Sequence, residues 1–329
     1  MTTATMKAMI ATGYGGYEVL QLKEVSKPTP KANELLIKVM TSAATTADTM
    51  MLTGKPYFAR LFIGLTKPKT PIPGTGFAGI VESVGKDVTK FKVGDRVFGE
   101  TAFRFSANAN YLRIGEDGVV LPMPENLDFS AAANFCDGPL TSYNFLKEIA
   151  AVEARQSVLI VGASGALGTA GIQIAKYLGA SVTAVCSEKN SGLVKSLGAD
   201  HVIDYTREDY IKSEKPYDFV YDAVGKSSFN ECKAILKENG VYLSPVLTFS
   251  LLVQMIKTSI FGNKKAKFEA TGANSEMKLR TMLTKVLDIF KAGKLKMVID
   301  RQYPLEKLGE AHRYIATGRK KGNVVIQHV

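Results

Sequence analysis

Apolar residues follow two different rhythms along the chain. From Met6 to about Asn126 they come in short runs, clearest at Met6 to Ile10, Glu34 to Met40, Ala78 to Val84 and Arg96 to Phe98. Glycine and proline separate them, with turn signals at Gly74-Thr-Gly76, Gly85 and Val93-Gly-Asp95. Helical periodicity is nearly absent there, which predicts a β-rich domain of the barrel kind. The texture changes near Pro122 to Asp128, after which Ser130 to Ala133 and Leu140 to Ile149 read as helix.

The second rhythm begins at Val158 to Val161, an uncharged aliphatic run suited to a strand buried on both faces. Gly162, Gly165 and Gly168 then mark a tight turn. Leu167, Ile172, Ile174, Ala175 and Leu178 recur at helical spacing and stop at Gly179. Ser181 to Val185 predicts a second strand and completes a βαβ unit. A helix over Lys189 to Leu197 and strands at His201 to Ile203, Tyr217 to Asp222 and Val241 to Val246 continue the alternation. That succession predicts a doubly wound parallel sheet.

Beyond Val246, Leu247 to Phe261 is apolar apart from Lys257 and a few hydroxyls and amides. Glu276 to Phe290 predicts an amphipathic helix whose apolar face is Met277, Leu279, Met282, Leu283, Val286, Leu287 and Phe290. Leu295 to Ile299 and Asn323 to Gln327 read as strands. The expected fold class is α/β with two domains: residues 1–125 and 295–329 form the β-rich one, and 126–294 form the nucleotide domain inserted between them.

A strand, a glycine turn and a helix aim free backbone N–H groups and the positive end of a helix dipole at a phosphate. Three spaced glycines alone are weak evidence; the βαβ context makes them a dinucleotide turn. Composition then narrows the class. A chain of 329 residues with 46% hydrophobic and 22% charged content is globular and long enough for two cores. No run of eighteen uncharged apolar residues suggests a transmembrane helix, and Met1 to Lys7 lacks the apolar core of a secretion signal. Cys136, Cys186 and Cys232 are too scattered for a disulfide framework or a zinc knuckle, so a reducing cytoplasm is expected. The net charge of +11 is spread along the chain without an aromatic-interleaved basic cluster, so no nucleic-acid partner is expected. Two local runs stand out, Lys264-Lys265-Ala-Lys267 and Arg319-Lys320-Lys321; the first reads as a solvated face.

The chain resembles the medium-chain dehydrogenase/reductase superfamily, in its zinc-independent quinone oxidoreductase branch. The residues that carry the resemblance run in family order along nearly the whole chain. In the first part they are Pro73-Gly-Thr-Gly-Phe-Ala-Gly79 followed by Val84-Gly, Val93-Gly-Asp-Arg-Val-Phe-Gly99 and Leu140-Thr-Ser-Tyr143. Next come Gly162-Ala-Ser-Gly-Ala-Leu-Gly168, Ala175-Lys-Tyr-Leu-Gly-Ala180, and Leu197-Gly-Ala-Asp200 with Val202-Ile-Asp-Tyr205. Tyr217-Asp-Phe-Val-Tyr-Asp-Ala-Val-Gly225 and Lys321-Gly-Asn-Val-Val325 complete the set. The resemblance implies a GroES-like β-rich domain joined to a Rossmann domain. The first glycine of Gly-x-Gly-x-x-Gly is Ala163 here, as is common in that branch.

Departures from the zinc-dependent members bear on the chemistry. Those place a zinc-binding Cys before an Asp where this chain has Ala44-Thr-Thr-Ala-Asp48. Their His-Glu pair is Thr75-Gly76 here, and the four-cysteine lobe is missing. Three histidines (His201, His312, His328) and three scattered cysteines do not supply the converging ligands zinc needs, so no metal is expected. Without a Lewis acid, hydride transfer to a simple ketone leaves charge on one oxygen. A quinone or enone spreads that charge over an enolate or phenolate, which hydrogen-bond donors can stabilise. Quinones and α,β-unsaturated carbonyls are therefore the expected substrates. The alternatives are an enoyl-thioester reductase of lipid metabolism and a non-catalytic NADPH-binding sensor or interaction protein.

The tip of the second Rossmann strand is Cys186-Ser187-Glu188-Lys189-Asn190. No acid stands at its first positions to bind a ribose 2′-hydroxyl. Ser187 and Lys189 suit a 2′-phosphate, so NADPH is expected over NADH; Glu188 would oppose it if turned inward. By resemblance Tyr205 packs nearby and Thr141 contacts the nicotinamide end. Ser164, Gly165, Ala166, Leu167 and Gly168 hold the pyrophosphate, Val224, Val246 and Leu247 flank the rings, and Lys321 and Asn323 close over the cofactor. Thr45, Asp48 and Tyr57 are the candidates for orienting a substrate carbonyl. Asp48 is expected to fix its loop rather than react, and Tyr57 reads either as an oxyanion donor or as a partly buried aromatic of the Lys55-Pro-Tyr-Phe loop. The Phe249 to Lys267 stretch reads as a lid, a dimer contact or a peripheral membrane foot, with lid or dimer favoured. The resemblance implies a homodimer paired through Val241 to Val246.

Overall fold

The computed structural model describes residues 4–55, 57, 60–213 and 215–328. The chain divides into two compact units. One comprises the residues up to Asp137, Gly272–Thr284 and the residues from Met297 on; the other comprises Gly138–Thr271 and Lys285–Lys296. The first unit carries strands β1 (Thr5–Ala11), β2 (Leu20–Ser26), β3 (Glu34–Ala44), β4 (Gly76–Val84), β5 (Arg96–Glu100), β6 (Tyr111–Gly115) and β7 (Val119–Pro122). The second carries β8 (Ser157–Val161), β9 (Ser181–Cys186), β10 (His201–Asp204), β11 (Tyr217–Asp222), β12 (Leu236–Leu243) and β13 (Lys265–Lys267). The chain then returns to the first unit with β14 (Ile299–Pro304) and β15 (Asn323–Gln327).

In the first unit β3 is the organising strand. Its start, Glu34 to Lys38, pairs antiparallel with β6, and its end, Thr41 to Ala44, pairs antiparallel with β15. β4 runs along its other edge, and β5 and β7 follow outward, giving the order β14-β15-β3-β4-β5-β7 with β6 also on β3. β1 and β2 form a separate antiparallel pair. Leu35, Ile37 and Val39 alternate along β3 and sink into a core with Phe77, Val97, Leu112 and Val120, as the two-residue period of a strand requires. A second cluster joins the chain ends: Met9 and Ala44 pack with Leu308, Ile315, Val324 and Ile326.

The second unit is a six-stranded sheet of order β10-β9-β8-β11-β12-β13, parallel throughout. The order reverses between β8 and β11, the kind of switch point at which doubly wound sheets take ligands. Leu159, Val161, Val185, Val220, Phe229, Ile235 and Tyr242 form its core. Close backbone approaches need glycine here. A Cβ on Gly138 would lie 2.5 Å from the carbonyl oxygen of Ala166, so that glycine lets the helix Gly138–Tyr143 press on the helix Ala166–Tyr177.

Several sequence expectations are displaced. The division falls after Asp137 rather than Glu125, because the helix Phe129–Ala132 packs on β3, β4, β5 and β15. The helix Glu276–Lys291 is shared between the units instead of lying within the second. Its buried face includes Ile289, whereas Met277 is 80% exposed. Leu295 to Val298 is not strand; the ladder begins at Ile299, where pairing with Asn323 starts. The fifth strand of the Rossmann sheet runs Leu236–Leu243 rather than Val241 to Val246, and its outer edge is taken by β13, so the edge available for pairing with another chain belongs to Lys265–Lys267. The first part of the chain also holds a helix the apolar pattern did not show, Thr46–Thr53. Met50, Met51 and Leu52 are contiguous there and make no periodic stripe, but Thr45 and Asp48 had the spacing of a capping box.

Candidate functional site

The glycine turn in the second unit is built by exclusion. Past β8, Gly162 takes φ +75°, and a Cβ there would lie 2.5 Å from Cγ1 of Val224. A Cβ on Gly168 would lie 2.3 Å from the carbonyl oxygen of Gly162, so only glycine lets the helix start fold back on the turn. The helix Ala166–Tyr177 begins at Gly165, which is extended and supplies no side-chain cap. The N–H groups of Ala166, Leu167 and Gly168 are thus presented at the positive end of a twelve-residue helix. The Ser142 hydroxyl donates to the Leu167 carbonyl at 2.8 Å and pins the turn from behind.

Asn190 ties the turn to the tip of β9. Its Nδ2 donates to Oγ of Ser164 at 3.0 Å and to Oγ of Ser187 at 3.4 Å, while its Oδ1 is buried without a partner. A buried acceptor without a donor is costly, and a ribose hydroxyl is a donor of the right kind. Lys189 and Tyr205 are exposed beside it. Arg207, which no sequence motif marked, stands 3.6 Å from Glu188 and 3.8 Å from Asp204. Glu188 therefore has a cation of its own at this tip.

The loop after β11 is held by Asp222. Its buried carboxylate accepts from the N–H groups of Val224 (3.2 Å), Gly225 (2.8 Å) and Ser227 (2.7 Å), from the Ser227 hydroxyl (2.8 Å) and from Tyr242 (3.1 Å). This fixes Val224 against Gly162. Gly225, at φ +65°, leaves room for Val246, whose Cβ would be 2.7 Å from an added methyl. Leu247 and Thr141 are half-buried. The second unit thus gathers Ser164 to Gly168, Ser187, Asn190 and Val224 around one turn. An arrangement with these free N–H groups, an unsatisfied amide oxygen and cations fits a dinucleotide.

Thr45 and Asp48 belong to the first unit and form a reciprocal cap on the helix Thr46–Thr53. The Asp48 carboxylate accepts from the Thr45 N–H (3.0 Å) and hydroxyl (2.8 Å), and the Asp48 N–H donates to the Thr45 hydroxyl oxygen (3.0 Å). Burial pushes the Asp48 carboxyl up to about 6, against the pull of the Thr45 bonds. Two further carboxyls of the same unit are raised with it. Burial, then Asp137 and Asp48, push Glu100 up to about 8; burial raises Asp137, with Lys320 pulling the other way. The adjoining Cys136 thiol is pushed up by burial, Glu100 and Asp137. No motif marked Glu100 or Asp137; their only sequence signal was an acid at the end of a strand and one before a helix.

Tyr57 is 66% exposed, not partly buried, and the Arg60 guanidinium lies 4.9 Å from its ring centre. Pro56 and Phe58 of its loop lie outside the described residues. Lys321 is exposed, with its N–H on Asp300 at 2.8 Å. Asn323 is buried, donates from Nδ2 to the Val298 carbonyl at 3.0 Å, and leaves Oδ1 without a partner. His312 meets the Thr49 hydroxyl at 2.9 Å and His328 the Ser42 hydroxyl at 2.9 Å, and burial pushes both down to about 4. Among the described residues no group of three or more His, Cys, Asp or Glu converges as metal ligands do.

Known proteins match this architecture along its length. The family model for the alcohol dehydrogenase GroES-like domain matches residues 31–160, and that for a zinc-binding dehydrogenase matches residues 197–326. A 2-methylene-furan-3-one reductase of Solanum lycopersicum is 33% identical over 98% of this chain and 79% of its own length. An NADPH-dependent alkenal/one oxidoreductase, chloroplastic, of Arabidopsis thaliana is 30% identical over 98% of this chain and 79% of its own. The solved quinone oxidoreductase of Coxiella burnetii superposes with a TM-score of 0.87 at 27% identity, covering 99% of this chain and all of that one. The chain belongs to the quinone oxidoreductase branch of the medium-chain dehydrogenase/reductase superfamily.

Proposed function

We propose that this protein uses NADPH to reduce a quinone or an α,β-unsaturated carbonyl without the help of a metal. The observation that carries the reading is the uncapped helix start at Gly165 beside the unsatisfied Oδ1 of Asn190. The N–H groups of Ala166 to Gly168 hold the pyrophosphate, with Ser164 at their side. Asn190 accepts from a ribose hydroxyl. Ser187, Lys189 and Arg207 hold the 2′-phosphate, with Tyr205 packed alongside, which favours NADPH over NADH. Thr141, Val224, Val246 and Leu247 flank the rings, and Lys321 and Asn323 are further cofactor contacts. When bound, the dinucleotide supplies a hydride.

Thr45, Asp48 and Tyr57 orient the acceptor. Asp48 acts by fixing the Thr45 cap, and the Tyr57 hydroxyl, the exposed donor of the three, meets the oxygen that gains charge. Independence from zinc rests on ligand chemistry. Thr75 and Gly76 are not ligands, Asp48 is committed to its cap, and His312 and His328 are each bonded to a hydroxyl. The names of the tomato and Arabidopsis relatives support an enone acceptor, and that of the Coxiella structure a quinone. The three buried, free thiols suit a reducing, cytoplasmic setting, and the open edge of β13 suits pairing into a homodimer.

The test follows loss of the reduced-nicotinamide absorbance with 9,10-phenanthrenequinone, an alkenal and a crotonyl thioester in parallel, with and without EDTA. Turnover of the quinone or the alkenal that ignores EDTA is the expected result. A preference for the thioester would move the protein to lipid metabolism, and no turnover with any acceptor would end the reading.

A further inference from the structure

The end of β5 sends a carboxyl group into the interior of the first unit. Glu100 pairs with Gly76 of β4, and residues opposite one another in an antiparallel pair project to the same face. On that face a Cβ at Gly76 would lie 2.6 Å from the Ala133 carbonyl oxygen and 3.4 Å from Cβ of Ala43. Glu100 therefore shares its face with the segment from Ala133 to Asp137 and with the end of β3. Its Oε1 lies 3.8 Å from where a Cβ on Gly272 would stand. The residue is 9% exposed, and among the described residues no hydrogen bond or ion pair reaches its carboxyl. Ionising it would bury a charge with nothing to pair it, so the group keeps its proton at neutral pH.

The groups that act on Glu100 belong to the same unit. After burial, Asp137 and Asp48 raise it; Asp137 also raises Asp48, and Lys320 works against both of these aspartates. Gly76 and Val119, its partners across β4 and β7, bring no charge, and the raised Cys136 thiol stays protonated. Asp137 is half-buried, which gives the trio an opening to water. Asp48 gives it an outlet, because its carboxylate is bonded to the Thr45 hydroxyl at 2.8 Å. Hydride transfer to a quinone or enone leaves a phenolate or enolate oxygen that must take up a proton. When Asp48 holds a proton, its bond to Thr45 reverses and frees the Thr45 hydroxyl hydrogen to donate. Delivery breaks the Thr45 O–H bond and forms the O–H bond of the product. The Asp48 proton restores the Thr45 hydroxyl, Glu100 restores Asp48, and water restores Glu100 by way of Asp137.

We propose that Glu100 is the proton store of the reduction, supplying the acceptor oxygen through Asp48 and the Thr45 hydroxyl. Glu100 acts through these two groups and is a positioning residue for the proton; the inference rests on the quinone or enone reading above. The experiment measures kcat and KM of the full chain and of Glu100→Gln across neutral and alkaline pH, with NADPH and either 9,10-phenanthrenequinone or an alkenal. Wild-type kcat is expected to fall as pH rises through about 8, where Glu100 ionises. Glu100→Gln fills the same space without a proton to give. It is expected to lose at least about tenfold in kcat, to keep the wild-type KM and NADPH affinity, and to lose the alkaline fall. A merely structural role would not remove that fall. Infrared spectroscopy reads the store without turnover: at neutral pH the difference between wild type and Glu100→Gln is expected to contain a protonated-carboxyl band. The proposal is overturned if Glu100→Gln turns over at the wild-type rate, if it keeps the alkaline fall, or if the infrared difference lacks that band. Each of these results leaves the quinone or enone reading standing. If wild type reduces neither acceptor, that reading fails and the relay fails with it.

Discussion

Burial sets the protonation of Glu100 against its ordinary chemistry. Its carboxyl is pushed up to about 8 in the folded chain from an ordinary 4.5, with burial first and the charges of Asp137 and Asp48 behind it. A folded-state value above the unfolded one means the native state holds the proton more tightly. The stability this gives is complete below the unfolded value and is lost as pH rises through about 8. The loss is on the order of 5 kcal/mol at most, since a tenfold difference in proton affinity corresponds to about 1.4 kcal/mol. Glu100→Gln imitates the protonated side chain. It should match wild type in urea unfolding near pH 5 and be the more stable protein near pH 9; equal stability at both would show that Glu100 ionises freely. At the tip of β9, Arg207→Ala should weaken NADPH about tenfold, the loss of one charge-assisted bond, and leave NADH unchanged. Glu188→Gln should move NADPH affinity the other way by freeing Arg207. Fluorescence titration with both nucleotides reads the difference, and an equal loss for both would remove Arg207 from the phosphate site. Ser187 and Lys189 could be picked out in the sequence because they follow the strand directly. Arg207 could not, because it reaches the same tip from beyond β10.

The elements most readily read from the sequence were those whose periodicity is undiluted. β8, the helix Ala166–Tyr177 and β9 are uniformly apolar or cleanly amphipathic, and their bounds lie close to the expected ones. The helix Thr46–Thr53 was hidden because its stability is local, resting on the Thr45–Asp48 cap and on Gly54 at φ +61°. β13 was hidden because three residues carry no pattern, yet it decides which strand edge is open. The glycine turn offers a paired test at this scale. Gly168→Ala forces a Cβ to 2.3 Å from a carbonyl oxygen, so it should cost about 1–3 kcal/mol in urea unfolding as well as dinucleotide binding. On Gly165 an added Cβ meets only the Gly162 carbonyl, at an ordinary 3.5 Å. Gly165→Ala should therefore keep the stability of wild type while lowering nucleotide affinity, because the methyl stands where a phosphate approaches the helix start. If both variants bind NADPH like wild type, the pyrophosphate does not lie on this turn.

For the whole molecule, the return of the chain into the first unit was legible from one strand. Asn323–Gln327 alternates well enough to be recognised, and its pairing with Thr41 to Ala44 joins the two ends of the sequence in one sheet. The precise sharing of residues 272–296 was not legible, because an amphipathic helix such as Glu276–Lys291 shows that it buries a face without showing against what. This two-unit build shapes how a bound nucleotide should stabilise the protein. A ligand held chiefly by the native second unit adds stability of RT ln(1 + [L]/Kd), about 2.7 kcal/mol at a hundred times Kd. In a unit of this size each kcal/mol raises the midpoint by roughly 2–4 °C, so saturating NADPH should raise one melting transition by about 5–10 °C. NADH at the same concentration should raise it less. The chain has no tryptophan, so calorimetry or circular dichroism is the suitable readout. If the two units melt separately, the transition of the second should move the more, and in Gly165→Ala it should not move at that concentration. A shift of equal size with NADH would leave Ser187, Lys189 and Arg207 without a phosphate to hold. The absence of any shift in wild type would mean that the uncapped helix start receives no dinucleotide.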